Sequence, residues 1–228
     1  MKYTYFRLVL AVLLFLGGWQ IVSAETNELM VRCVAFYNLE NVFDTIHDEG
    51  KNDYEYLPDG GMKWTSLKYT NKIQNMAYAI AQLGTDEDPR GAAIVGVSEV
   101  ENIGCLHDLC KELKEKHNRN YVPILLEGPD RRGIDVGLLY NPDMFKPVGK
   151  PKGYELKAHY ADGGVVRSRL QLWVSGYMLD DSRKIVMDKI HISVNHWPSR
   201  SGGEESSRAT RDTAAMLVKQ VADSIYMK

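Results

Sequence analysis

The chain has 228 residues, 44% of them hydrophobic and 25% charged, a composition typical of a globular protein. Its 30 acidic and 28 basic residues argue against tight nonspecific binding to duplex nucleic acid, which requires a basic surface. Three cysteines, an odd number, exclude a complete disulfide framework.

Residues 1–24 are predicted to be a signal peptide. Lys2 and Arg7 precede an apolar run at 8–16, and Ala24 ends a segment typical of a cleavage site. The run is shorter than the roughly 20 residues that span a bilayer, and an uncleaved anchor is the alternative. Cleavage would leave one exported domain, 25–228, without integral membrane association and with 26 basic against 30 acidic residues.

The rest of the chain alternates strand-like and helix-like segments, which predicts a layered α/β (α+β) fold. Runs of apolar residues predict strands at 30–37, 92–97, 121–126, 134–140, 169–179 and 184–194. Helical spacing of apolar residues predicts helices at 67–83, at 103–116 and from Glu204 to Ile225. The first of these helices is indicated by apolar residues that fall at helical spacing, namely Leu67, Ile73, Met76, Ala77, Ile80 and Leu83.

Polar residues follow two of the predicted buried strands. Asn38 and Glu40 come after the first strand, and Glu99 comes after the second. Ligands in layered α/β folds collect at strand ends, and Mg²⁺ is held by one or two carboxylates with water and phosphate oxygens. A polar turn around Asn38 is an equally good interpretation. Glu101 is assigned, with Asn102, to the N-terminal cap of the next helix.

A further group of polar side chains follows the strand predicted at 184–194. Asn195, His196 and Arg200 supply an amide, a titrating imidazole and a fixed cation, which suit the binding and protonation of a phosphodiester. A lone histidine beside an apolar strand is more often structural, but these neighbours favour a site for His196. His191 would face the other side of a regular strand, so we assign it a structural or surface role.

The loop at 128–133 and the strand after it provide the last candidates. Arg132 can contact phosphate oxygens, although a solvated basic turn explains it equally well. Asp135 enters a buried strand as a charge, which must be paired or bound to a cation. A salt bridge with Arg132 or Arg167 is the alternative to a role in the site.

Together these segments resemble the endonuclease/exonuclease/phosphatase superfamily, which includes deoxyribonucleases, abasic-site endonucleases, sphingomyelinases and inositol polyphosphate phosphatases. The similar segments are YNLEN at 37–41, VSEVEN at 97–102, RRGIDVGLLYNP at 131–142 and NHWPSRSGG at 195–203. The similarity covers roughly residues 30 to 228 and is to secreted or periplasmic members from Bacteroides-type bacteria.

The resemblance implies a four-layer sandwich of two mixed β-sheets flanked by helices, and a Mg²⁺ or Mn²⁺ cofactor. It implies that Glu99 is the principal metal ligand, that Glu40 supports the metal, and that Asn38 positions metal and phosphate. His196, with Asn195 beside it, is expected to contact the scissile phosphate.

The implied activity is hydrolysis of a phosphodiester in nucleic acid or a phospholipid headgroup, or of a phosphomonoester. The family's Gly-Asp-x-Asn and Ser-Asp-His motifs, which activate water and supply a second histidine, do not occur in the sequence. We therefore expect the chain to be the N-terminal two-thirds of a hydrolase, incomplete at its C-terminus, with little activity by itself. The alternatives are a catalytically silent phosphate-binding module of the cell envelope and an interaction protein that uses the fold as a scaffold.

Overall fold

A computed structural model describes residues 30–159, 163–200 and 203–227. The signal peptide predicted at 1–24 lies outside these residues. Within the described part of the chain, no helix has the length and apolar content needed to cross a membrane.

The strands are short, and two of the three α-helices lie between the first four strands. The strands are β1 (Val34–Val42), β2 (Ile94–Val100), β3 (Val122–Leu125), β4 (Asp135–Tyr140), β5 (Phe145–Pro147), β6 (Lys152–Tyr154), β7 (Gln171–Met178) and β8 (Ile190–Val194). The α-helices are α1 (Ser66–Ala81), α2 (Ile103–His117) and α3 (Glu204–Tyr226), and a 3₁₀ turn covers Tyr54–Tyr56.

The strands form two sheets. Sheet 1 has the order β1-β2-β4-β3, in which β1 is parallel to β2, while β4 is antiparallel to both β2 and β3. In sheet 2, β7 pairs with β5, β6 and β8, and all three pairings are antiparallel. Sheet 1 is therefore mixed, as the resemblance implies, whereas the described pairings of sheet 2 are all antiparallel.

The apolar faces of the sheets explain the layers. Residues of β2 alternate between two cores: Val95 and Val97 pack with the buried faces of α1 and α2, and Ile94 packs with apolar residues of sheet 2. Such a strand, buried on both sides, lies at the centre of a sandwich. Helix α3 covers the outer face of sheet 2, where Gln171 Nε2 donates to the Ala214 carbonyl oxygen at 2.8 Å. The predicted four-layer arrangement is confirmed.

The start and end of α2 follow from its sequence. The Asn102 side chain accepts a hydrogen bond from Cys105 N at 3.1 Å, which confirms the predicted N-terminal cap. Asn118 ends the helix with a φ of 54°, and Lys114 and Lys116 lie in its last turn, where the helix dipole favours cations.

The structure adds three details to the sequence prediction. Leu67, the first of the apolar residues at helical spacing, is 70% exposed because it lies in the first turn of α1. The strand predicted from residue 184 begins only at Ile190, since Asp180 Oδ1 accepts from Lys184 N at 2.8 Å and holds that segment in a turn. β5 and β6 were not predicted, because three residues are too few to show a periodic pattern.

Candidate active site

Two irregularities in sheet 1 shape the candidate site. The pairing of β1 with β2 changes register after Asn38, and the pairing of β2 with β4 changes register around Glu99. Glu40, Asn41 and Glu99 have φ values of 54°, 60° and 61°, which residues other than glycine rarely adopt. Bulges and strained backbone of this kind concentrate at functional sites, where they redirect side chains. The strand ends therefore carry a structural signature of a site.

Glu99 lies at the centre of the group. Its Oε1 atom accepts a hydrogen bond from Asn38 Nδ2 at 3.1 Å and lies 3.4 Å from His196 Nε2. Asn38 Oδ1 in turn accepts from Glu40 N at 2.9 Å, which fixes the amide in this orientation. The structure thus brings Asn38, Glu99 and His196 together from three separate segments. Among the described residues, both contacts to the Glu99 carboxylate use Oε1, so Oε2 is open to a cation.

His196 is held as a neutral imidazole. Burial lowers its pKa, the nearby Arg169 guanidinium lowers it further, and the Glu99 carboxylate only partly opposes this. Its Nδ1 atom is buried and has no hydrogen-bond partner among the described residues. A neutral imidazole can accept a proton or donate an N–H hydrogen bond, so His196 is suited to act as a base or to hydrogen-bond a phosphate oxygen.

Arg169 is a site residue that sequence reasoning missed. Its Nη1 atom forms an ion pair with Asp130 at 3.1 Å, and its Nη2 atom donates to the Trp197 carbonyl oxygen at 3.2 Å. These contacts fix a positive charge next to His196. The sequence contains a signal that could have identified Arg169, because a charged side chain beside a buried strand must be paired. The same argument identified Asp135.

The other polar residues that were predicted to contact phosphate lie around Asn38, Glu99 and His196. Arg132 is exposed, and its Nη1 atom lies 3.3 Å from Asn41 Oδ1, beside the bulge of β1. Arg200 is exposed in the loop before α3. Asn195 Nδ2 donates to Ser193 Oγ at 2.9 Å, and its Oδ1 atom is buried without a partner among the described residues.

Asp135 is buried at the start of β4. It accepts a hydrogen bond from Gly128 N at 2.9 Å, and burial raises its pKa to about 7. The alternative salt bridge with Arg132 or Arg167 is not found among the ion pairs of the described residues, because a backbone N–H binds the carboxyl group instead. A role for Asp135 in the site stays a prediction.

Glu40 does not contact Glu99 in this structure. Its side chain is 77% exposed, and its Oε2 atom lies 3.9 Å from Lys72 Nζ. The left-handed backbone at Glu40 turns the residue outward, toward α1. Metal binding by Glu40 therefore stays a prediction, and Glu99 is the better placed carboxylate.

A second acidic group lies at the ends of β1 and β2. Potential ligand atoms of Asp44, Glu101 and Cys105 lie within 4.8 Å of one another, close enough for a metal ion. However, Glu101 Oε2 accepts from Asp44 N at 2.7 Å, and Asp44 accepts from Ile46 N and Asn102 Nδ2 at 2.6 and 3.2 Å. Three of the four carboxylate oxygens of Asp44 and Glu101 already accept hydrogen bonds, so the group fits a hard cation less well than Glu99 does.

The electrostatics of this second group support that conclusion. Burial raises the pKa of Glu101 to about 8 and that of the Cys105 thiol to about 12, so both hold their protons at neutral pH. The group acts as a hydrogen-bonded junction between the strand ends. The assignment of Glu101 to a helix cap is wrong, because its side chain turns inward to the β1 exit and Asn102 alone caps α2.

We expect the thermal stability of the chain to fall between about pH 6.5 and pH 8.5. The raised pKa values of Glu101 and Asp135 mean that the folded state binds more protons than the unfolded state in this range, so stability decreases as pH rises. His191 and His196, whose pKa values are lowered, act in the opposite direction near the ordinary imidazole value of 6.5, at the lower edge of this range.

Melting curves recorded in EDTA across this pH range test the expectation. Glu101→Gln should flatten the profile, whereas Glu115→Gln, on the exposed face of α2, should leave it unchanged. A melting temperature that rises with pH in the wild-type chain would contradict the assignment of buried protons to these carboxyl groups.

The sequence profile of the endonuclease/exonuclease/phosphatase family matches residues 33–228. No curated protein matches the chain. A conserved protein of unknown function from Enterococcus faecalis V583 is similar in structure, with a TM-score of 0.46, 12% identity and coverage of 85% of this chain and 62% of that one.

Two structures from Bacteroides thetaiotaomicron are also similar. A protein of the endonuclease/exonuclease/phosphatase family has a TM-score of 0.45 and 16% identity, over 84% of this chain and 58% of that one. A mannosyl-6-phosphatase has a TM-score of 0.46 and 16% identity, over 84% of this chain and 59% of that one. The chain spans less than two thirds of the length of these structures. On the match over residues 33–228, the chain belongs to the endonuclease/exonuclease/phosphatase family.

Proposed function

We propose that the protein is a metal-dependent phosphoester hydrolase and that Glu99 holds a Mg²⁺ or Mn²⁺ ion. The observation that carries the proposal is the meeting of Asn38, Glu99 and His196 at the bulged ends of β1 and β2. A half-buried carboxylate with one oxygen already oriented by an amide is the donor that Mg²⁺ prefers.

The residues of the site have complementary roles in this proposal. A bound divalent ion polarises the phosphoryl group and stabilises charge on the leaving oxygen. Asn38 orients the Glu99 carboxylate, and the neutral His196 donates an N–H hydrogen bond to a phosphate oxygen or accepts a proton as a base. Arg169 adds a fixed positive charge on the same side, because Asp130 and the Trp197 carbonyl oxygen hold its guanidinium in place.

The remaining predicted residues are assigned supporting roles. Glu40 would reach the metal only by leaving Lys72, which a side chain this exposed can do at small cost. Arg132 and Arg200 would contact substrate phosphates from the rim, while Asn195 and Asp135 would support the loop and strand behind the site. The substrate class is a phosphoester in nucleic acid, a phospholipid headgroup or a phosphomonoester, and the weak negative charge disfavours duplex DNA.

Hydrolysis of bis(p-nitrophenyl) phosphate and p-nitrophenyl phosphate with Mg²⁺ or Mn²⁺ tests the activity. We expect the 228-residue chain to turn over little, since it lacks the Gly-Asp-x-Asn and Ser-Asp-His motifs. Groups that activate water contribute about 10²- to 10⁴-fold in rate. Reading the coding DNA past Lys228 identifies any in-frame continuation that carries these motifs, and the extended protein should hydrolyse one substrate faster by about that factor.

The outcomes separate the proposals. If the 228-residue chain turned over rapidly and Glu99→Ala abolished the turnover, the expectation of low activity would be wrong. The proposal that the protein is a hydrolase would be supported. No turnover by an extended protein that carries both motifs would overturn the hydrolase. The alternative is a catalytically silent module that binds phosphorylated ligands through Asn38, His196 and Arg200, and the absence of both motifs from the sequence favours it. Metal-assisted binding of phosphate without hydrolysis would identify that module.

We also propose that the protein is exported and that residues 1–24 are removed. The basic start, the apolar run and the end at Ala24 support this proposal. N-terminal sequencing of the protein purified from its cell envelope or medium should begin at Glu25. An intact Met1 would indicate an uncleaved anchor instead.

A further inference from the structure

A second polar cavity lies on the opposite side of sheet 2 from sheet 1. Trp173 and Ser175 of β7 point to this outer face, since Leu172 and Val174, which alternate with them along the strand, pack into the core between the sheets. Helix α3 covers one side through Val221, and the space enclosed is about 630 Å³. We call it the outer cavity. None of the residues of the candidate active site lines it.

Positive charge dominates the lining of the outer cavity. Lys152 lies on β6 and Lys150 lies just before it. Lys189 precedes β8, and His191 is on β8 itself. Among the described residues, no carboxylate lines the cavity. Three ammonium groups around one concavity are unusual on a chain whose net charge is −2. Like charges repel one another, so their clustering indicates an anionic partner.

The hydrogen-bonding groups of the outer cavity are mainly donors. The three lysines can only donate. Trp173, which is 9% exposed, lines the cavity, but its Nε1 atom is buried below the cavity surface. Ser175 Oγ and His191 Nδ1 lie 2.7 Å apart and satisfy each other. The cavity therefore offers several donors and few acceptors.

The pKa of His191 is also affected by the positive charge of the outer cavity. Its pKa is lowered by burial and by the neighbouring Lys189 ammonium. Ser175 and His191 are directly opposite in the β7–β8 ladder, and Lys152 is opposite Trp173 in the β6–β7 ladder. The pairing of three strands thus brings these side chains onto one face, which makes the cavity a product of the fold and not of one flexible loop.

We propose that the outer cavity binds a small soluble ligand with two linked phosphate groups, a diphosphate. Two adjacent phosphates supply the negative charge and the acceptors that three lysines require. A recessed volume of about 630 Å³ admits a diphosphate and a moiety attached to it. This binding site is separate from Glu99 and does not depend on the proposed hydrolase activity.

Titration calorimetry with inorganic pyrophosphate, in EDTA and at constant ionic strength, tests the proposal. We expect one pyrophosphate to bind per chain. Lys150→Ala and Lys189→Ala should each weaken binding about tenfold, the loss typical of one hydrogen bond to a charged group. Inorganic sulfate should bind at least about tenfold more weakly, because it has one anionic group instead of two.

Matched controls decide the location of the site. Lys111→Ala removes an exposed lysine of α2, outside the cavity, and should not change the affinity. His196→Ala should not change it either, which separates this site from the proposed active site. Absence of binding, equal weakening by Lys111→Ala, or loss of binding only in His196→Ala would each overturn the proposal. Unchanged melting temperatures of the lysine variants would show that the losses are local.

Discussion

Replacing Glu99 by alanine is expected to weaken the binding of Mn²⁺ or Mg²⁺ by about 100-fold, because the variant loses the carboxylate best placed to bind a cation. The partners of Glu99 cannot replace it. Asn38 and His196 point nitrogen atoms toward the carboxylate, and a hard cation prefers oxygen ligands. Titration calorimetry or Mn²⁺ electron paramagnetic resonance measures the affinity directly, without requiring turnover.

The matched control is Glu115→Ala, which removes an exposed glutamate of α2 and should leave metal affinity unchanged. Glu101→Gln separates the two acidic groups, since it alters the junction with Asp44 and leaves Glu99 intact. If Glu101→Gln abolished metal binding and Glu99→Ala did not, the metal centre would be the buried group and the proposal for Glu99 would be wrong.

Replacing Leu106 by alanine is expected to destabilise the fold by about 3 kcal/mol. Leu106 is fully buried in the core between α2 and sheet 1. Its Cδ1 atom lies 2.7 Å from the position that a Cβ atom would take at Gly137, so the leucine occupies the space that this glycine leaves on β4. Truncation would open a cavity that the rigid sheet cannot close. Urea unfolding should show a lower midpoint with an unchanged slope.

Leu67→Ala is the control for this prediction, since it makes the same change in α1 at a side chain that is 70% exposed. We expect a cost of about 0.5 kcal/mol or less. Equal costs for the two variants would mean that Leu106 does not hold α2 against the sheet, and would contradict the packing described for this layer.

Local patterns predicted most of the secondary structure. The start of α3 at Glu204 and the cap of α2 at Asn102 could be predicted from the sequence, because spacing and capping act over a few residues. The bulge at Glu40 could not be predicted, although it decides the direction of that side chain. A bulge depends on the partner strand, and β2 lies more than fifty residues further along the chain.

The candidate site was predictable in its residue types and less so in its contacts. Asn38, Glu99 and His196 were identified because polar groups at the ends of buried strands are unusual. Arg169 was missed, since its role depends on Asp130 and on a backbone carbonyl, which the sequence does not place beside it.

The sequence by itself determined the layered fold, the strand ends that carry polar groups, and the membership of a family of phosphoester hydrolases. Only the tertiary structure decided the surroundings of the three glutamates near these strand ends. Glu99 meets Asn38 across 61 residues of chain, Glu40 turns to Lys72, and Glu101 is buried against Asp44. These three glutamates have the same chemistry, and their environments differ because strand register, bulges and burial are set by contacts between distant segments.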